Sequence, residues 1–218
     1  MTPTLVKNSP LAALCRSSGA KMIDISGWQV VDHFGDPEEE KQHLSDASVL
    51  VDWSHIGKLT LRGNEAEKEI AKIYPIAAII TTLQTATNQD KAILRLTDDE
   101  FVILDPSGEV DDKKFDGSRV SVIDHSGTYA CLVLAGPQRD EVILRSSAMN
   151  TRRDLFAPGA VIQTTVHGIG CIYYRTESLD LFLPVRDYAQ SLYEAFLDVG
   201  RGVGLIPAGI ATLPVNLK

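Results

Sequence analysis

Apolar and polar positions change period along this chain, and the changes predict its elements. Residues 58–62 alternate in the manner of a half-buried strand, ended by Gly63-Asn64. Residues 91–96 and 100–104 flank Thr97-Asp98-Asp99, the composition of a hairpin turn. A second hairpin is expected from residues 119–124 and 128–134, turning at His125-Ser126-Gly127. Residues 161–166, 170–175 and 179–185 read as three successive strands.

Helical signals fall between these runs. Asp36 as N-cap, Pro37 at the first position and Glu38, Glu39 and Glu40 in the first turn open one helix. Its apolar content is thin until Leu44 and Ala47, so much of it is expected to face solvent. Residues 64–67 begin a second helix with Ala66, Ile70 and Ile73 on one face. Gly136-Pro137 starts a third, to about Ser147, with Val142 and Ile143 inward. Asp187 is expected to cap a fourth, whose stripe is Tyr188, Leu192, Ala195, Phe196 and Val199 and whose stop is Gly200. Strand pairs interleaved with helices occur about twice, before residue 104 and after residue 119. That pattern predicts an α+β fold, one domain over 1–218, built of two similar packed halves (about 1–104 and 119–218) of antiparallel or mixed strands. Residues 105–117 are the expected connection.

Composition narrows the function. With 218 residues and 44% hydrophobic side chains, the chain can bury a sizeable core. A net charge of −8 argues against nucleic acid, and Lys113-Lys114 and Arg152-Arg153 are isolated pairs. The longest apolar candidate, residues 75–80, is far short of the roughly 20 residues that span a bilayer. The N-terminal residues do not read as a secretory signal, and Cys15, Cys131 and Cys171 are odd in number and scattered. A cytoplasmic protein is expected. The five histidines and three cysteines lack ligand spacing, so no metal site is expected.

Three runs resemble chemistry. Ser54-His55 lies where adjacent side chains point to opposite faces, so scaffold bonding is favoured over a catalytic dyad. Asp124-His125-Ser126 reads as a capped turn, because three consecutive residues cannot stack into a triad. Gly200-Arg201-Gly202-Val203-Gly204 follows a helix, so it is a helix stop and not a dinucleotide loop.

The segments 18–28 (S-G-A-K-M-I-D-I-S-G-W), 52–57 (D-W-S-H-I-G), 132–137 (L-V-L-A-G-P) and 205–211 (L-I-P-A-G-I-A) follow one another in order. Together they resemble the folate-dependent aminomethyltransferases, typified by the glycine-cleavage T-protein. The resemblance implies the folate-binding-domain fold without that family's C-terminal barrel domain. It also implies a tetrahydrofolate site. On it, Asp90 of the Gln89-Asp90 pair takes the place of the carboxylate that assists one-carbon transfer. Asp105 stands where the family has a folate-contacting Asn, while Glu177 and Asp180 are the carboxylates left in the segment that meets the pterin. Leu213-Pro214 replaces the family's folate-carboxylate arginine.

Residues 119–200, above all 174–189, resemble the small gamma subunit of heterotetrameric sarcosine oxidases, a relative without a catalytic role of its own. Two functions follow, of which the first is the expected one and the second its alternative. One is a tetrahydrofolate-binding, aminomethyltransferase-like protein of one-carbon metabolism, with Asp90 managing a proton. The other is a non-catalytic subunit partnered by larger subunits of an amine-oxidising complex.

Overall fold

The computed structural model describes residues 6–217. The chain opens with β1 (Lys7–Asn8), α1 (Ala12–Ser17), β2 (Lys21–Ile25) and β3 (Trp28–His33). Then come α2 (Pro37–Asp46), β4 (Ser48–Asp52), β5 (Gly57–Arg62) and α3 (Ala66–Ile73). The middle carries β6 (Gln84–Asn88), β7 (Lys91–Arg95), β8 (Glu100–Asp105), β9 (Ser121–Asp124), β10 (Leu132–Ala135) and α4 (Arg139–Ser146). The last third holds β11 (Val161–Val166), β12 (Ile169–Arg175), β13 (Leu179–Pro184), α5 (Ala189–Gly200) and β14 (Leu205–Ala208). The fold is α+β.

Two large sheets carry the architecture. One has the order β11-β12-β13-β10-β4-β14 and the other β6-β7-β8-β5-β9, with a small third sheet β1-β3-β2 at the side. Strand alternation sends side chains to both faces of each large sheet. Val49, Val51, Val133, Ile172, Leu181 and Leu183 of the first meet Ala92, Leu94, Val102 and Leu104 of the second in a shared central core. On the outer face of the six-stranded sheet, Leu50, Leu134, Tyr173 and Phe182 pack against Val142 and Ile143 of α4 and Leu192 and Phe196 of α5. On the outer face of the five-stranded sheet, Leu59, Leu61, Ile93, Phe101 and Ile103 pack against Ala66 and Ile70 of α3. The result is a four-layer stack, helix over sheet over sheet over helix.

Several expectations change. Strand β5 is buried through Leu61 on both faces, Lys58 and Thr60 included, because β8 and β9 flank it and both faces are covered. β9 and β10 do not pair with each other: β9 pairs antiparallel with β5, and β10 with β4 and β13. The run 125–131 therefore crosses between sheets, with His125 N–H bonded to the Lys58 carbonyl and Cys131 N–H to Ser54 Oγ. The two halves interlock, β4 joining the later strands and β9 the earlier ones. Asp187 lies in a single 3-10 turn (Arg186–Tyr188) and does not cap α5, and Tyr188 is exposed and off the buried stripe.

Helix α2 starts as its sequence dictates, with the Asp36 carboxylate accepting from Glu38 N–H at 2.9 Å. Its Glu40 is nonetheless buried. One carboxylate oxygen accepts from Phe34 N–H (2.6 Å), the other from Gly209 N–H (3.1 Å) and Thr212 Oγ1 (2.6 Å). A carboxylate with three such donors is a tie between distant segments.

Candidate functional site

Strand register decides where each expected carboxylate points. On β8, Phe101 and Ile103 face the α3 side, so Asp105, two residues on, faces that side as well. It forms an ion pair with Lys91 of β7, and its other oxygen accepts from Ser107 N–H (3.0 Å) and Ser107 Oγ (2.7 Å). Tyr74, Lys91, Asp105, Glu109, Asp111 and Lys114 surround a cavity of only about 30 Å³. Asp90 stands next to this group on the β6–β7 turn and is exposed. Burial holds the Lys91 ammonium below its ordinary value, against the opposing pull of Asp90.

The second pair lies on the β12–β13 hairpin. Asp180 shares the face of Phe182, so it points outward toward α4. It is fully buried, opposite Arg175 in the register. Asp180 Oδ1 accepts from Tyr173 Oη and from Arg175 Nε, both at 2.6 Å, and Oδ2 from Arg139 Nε at 3.0 Å. The Arg175 guanidinium also donates to the carbonyls of Thr151 (2.7 Å) and Phe156 (3.2 Å) and to Asp140 (2.9 Å). Burial first, and Asp180 second, push the Tyr173 phenol far above its ordinary value. Glu177 is exposed at the hairpin tip, where its carbonyl accepts from Arg139 Nη2 at 2.6 Å.

The fold thus brings Asp90 and Asp105 together around Lys91, and Glu177 and Asp180 together beside Arg139. It does not bring the two pairs together. Asp105 and Asp180 face opposite outer layers, with the central core and a sheet spacing of about 10 Å between them.

A third polar cluster forms where the D-W-S-H-I-G run carries the chain from β4 across to β5. Asp52 accepts from Ser9 Oγ and from Ser54 N–H (2.9 Å). Ser54 Oγ accepts from Cys131 N–H at 3.0 Å, and the Lys58 ammonium donates to the carbonyls of Ser54 (3.0 Å) and Ile56 (2.9 Å). Ser54 is thereby tied to scaffold, as its place in the chain predicts, while the buried His55 Nδ1 has no partner among the described residues. Lys58 is completely buried, although residues 58–62 alternate like a half-buried strand whose lysine would face solvent. Burial lowers the Lys58 ammonium to about 8, and burial pushes the thiols of Cys15, Cys131 and Cys171 up to about 12, so these thiols are unreactive at neutral pH.

Burial likewise lowers His55 to about 4, despite the nearby Asp52 carboxylate. The unfolded chain takes up this proton near 6.5 and the folded one only near 4, so between these values the unfolded state holds more protons. Stability from this group is complete above about pH 6.5 and is lost as pH falls through about 4, on the order of 3 kcal/mol in all. Denaturant melts from pH 7 to 4 will show this slope in the native protein and a shallower one in His55→Asn. Equal slopes would contradict it.

Among the described residues, no three His, Cys, Asp or Glu side chains are grouped to hold a metal ion, and no helix is long and apolar enough to cross a membrane. Comparison with known proteins gives the family. The model of the GCVT N-terminal domain matches residues 11–215. Aminomethyltransferases of Desulfitobacterium hafniense and Moorella thermoacetica are 24% and 26% identical, over 95% and 94% of this chain. The chain spans about three fifths of the length of these relatives (62% and 61%). Among solved structures, glycine cleavage system aminomethyltransferase T from Bartonella henselae superposes with a TM-score of 0.79 at 19% identity, covering 95% of this chain and 60% of that one. A chain of the heterotetrameric sarcosine oxidase from Corynebacterium sp. U-96 superposes with a TM-score of 0.66 at 18% identity, covering 90% of this chain and 95% of that one. The arrangement of sheets and helices described above is therefore that of the GCVT N-terminal domain family, to which this chain belongs.

Proposed function

We propose that this chain is a non-catalytic, gamma-like subunit of a heteromeric amine-oxidising complex of the sarcosine oxidase type. The observation that carries the reading is the state of the two buried carboxylates of the four. Asp105 is committed to Lys91 and Ser107, and Asp180 to Arg139, Arg175 and Tyr173. A pterin would need acceptors with free lone pairs converging on one cavity. These two buried acceptors face opposite outer layers, and the cavity beside Asp105 is about the size of one water. The residues present do not fit a tetrahydrofolate in the way the family resemblance implies. The likeness to a chain of a heterotetrameric sarcosine oxidase supports the reading at the level of fold.

A second reading, a tetrahydrofolate-binding, aminomethyltransferase-like protein of one-carbon metabolism, is favoured by Asp90 and Glu177. Both are exposed carboxylates, and Asp90 sits beside a lysine ammonium. On that reading Asp90 is the proton-managing group, and Asp105, Glu177 and Asp180 are cofactor contacts. Calorimetric titration of the folded chain with 5-formyltetrahydrofolate separates the two. The subunit reading expects no heat at high micromolar ligand; saturable binding that Asp90→Asn and Glu177→Gln weaken would establish the folate reading instead.

A further inference from the structure

One surface cleft holds two cations that no carboxylate among the described residues pairs. Lys7, Asn8, Trp28, Asp124, Ser126 and Arg186 line a space of about 380 Å³. The Lys7 ammonium lies 5.6 Å from the centre of the Trp28 ring, and Arg186 donates to the Asn8 carbonyl at 2.8 Å. Among the described residues, neither cation has a carboxylate within ion-pair distance, although acidic residues outnumber basic ones 29 to 21. Asp124 accepts from Ser126 N–H and is paired with neither cation. Ser126 Oγ accepts from Lys58 N–H, so its hydroxyl proton is free to be donated.

The surroundings of the cleft match this charge pattern. β9, which ends at Asp124, is an edge strand of the five-stranded sheet, with one side unpaired among the described residues. Such an edge presents backbone donors and acceptors to an added strand. Val6, Ile123 and Val185, the chain neighbours of Lys7, Asp124 and Arg186, are exposed, as is Tyr188. These are four of the eight exposed large hydrophobic side chains among the described residues, and three of them adjoin cleft residues in the chain.

We propose that the cleft and the free edge of β9 are the docking surface for an extended, acidic segment of a partner polypeptide. Its carboxylates would pair with Lys7 and Arg186, its backbone would add to β9, and its apolar side chains would cover Val6, Ile123, Val185 and Tyr188. A bare small anion fits less well, because Asp124 repels it, whereas a peptide offers N–H donors to that carboxylate. The proposal rests on the subunit reading and names where the partner sits.

Two measurements on the full chain test it. The first is fluorescence anisotropy with a short fluorescein-labelled peptide alternating Glu with Val and Thr, and with its Lys-for-Glu counterpart. The Glu peptide is expected to bind and the Lys peptide not, and the pair Lys7→Glu and Arg186→Glu should weaken binding about tenfold or more with an unchanged thermal melt. Equal binding of both peptides, or no effect of the double variant, would overturn the proposal. The second is carbodiimide coupling of the native assembly, expected to join Lys7 to an Asp or Glu of a different polypeptide. Coupling of Lys7 to a second copy of this chain would overturn it. A native monomer would remove the subunit reading alone, and the peptide result would still decide the surface.

Discussion

Asp180→Ala is expected to destabilise the protein by about 3–5 kcal/mol. Asp180 is fully buried and is ion-paired with both Arg175, which is fully buried too, and Arg139, which is nearly so. Removing it leaves two guanidinium groups and the Tyr173 hydroxyl short of an acceptor in a low-dielectric layer between β12, β13 and α4. Arg175 keeps its backbone carbonyls and Asp140, which softens the loss without replacing the carboxylate. For a chain of this size the cost corresponds to a fall in Tm on the order of 10 °C. Urea denaturation will read it directly. A loss under about 1 kcal/mol would mean that Asp180 is not the hub of this layer. Glu177→Gln, at the exposed tip of the same hairpin, is the internal control and should leave stability within about 0.5 kcal/mol.

Gly209→Ala should cost about 3 kcal/mol or more, for a steric and not an electrostatic reason. A Cβ at this position would lie 2.0 Å from the Asp32 carbonyl oxygen, 2.3 Å from its carbon and 2.6 Å from His33 N. All three atoms are backbone of β3. The approach is close because Ile210 N–H bonds to the Val31 carbonyl and Ala211 N–H to that of Asp32, both at 3.0 Å, while the buried Glu40 holds Gly209 N–H from the other side. Alanine therefore has to lift the turn off β3 and break the Glu40 tie. The lift should reach Trp53, whose indole N–H donates to the Leu213 carbonyl at 3.1 Å. A lower Tm with a red-shifted tryptophan emission is the expected result, and a melt matching the native protein would show that β3 yields without cost.

The two cases show how the family motifs relate to this architecture. The P-A-G run earns its glycine from the contact with β3, and the D-W-S-H-I-G run is the crossover between the two large sheets, its polar groups spent on holding that crossover. Neither needs a ligand to explain it.

Local patterns were legible wherever local physics decides. The Asp36-Pro37 helix start, the β7–β8 hairpin and the strands β11, β12 and β13 fall where capping, turn composition and period place them. The pairing of β9 and β10 was not legible. Both flank a good turn, yet β9 pairs along its whole length with β5 and β10 with β4 and β13 in different sheets, and no short window of sequence carries that competition. Glu40 read only as one of three acidic residues in the first turn of a helix, because two of its three donors come from residues 209–212, far from it in the chain.

The candidate site divides along the same line. Residue type marked Asp90, Asp105, Glu177 and Asp180 as carboxylates worth following. Whether their oxygens are free depends on Lys91, Arg139 and Arg175, which strand register and the position of α4 bring to them. Two carboxylates spaced to meet a ligand and two spaced to meet arginines look alike in one dimension. In the fold, Asp105 and Asp180 stand on opposite outer layers, a consequence of alternation on β8 and β13 that follows only once both sheets are known to pack through their other faces.

Light scattering on the native species, purified from its own source with every co-eluting chain identified, tests the subunit reading most directly. That reading predicts a mass several times that of this chain, with larger subunits present in fixed stoichiometry. A species with the mass of this chain alone, carrying reduced folate, would contradict it.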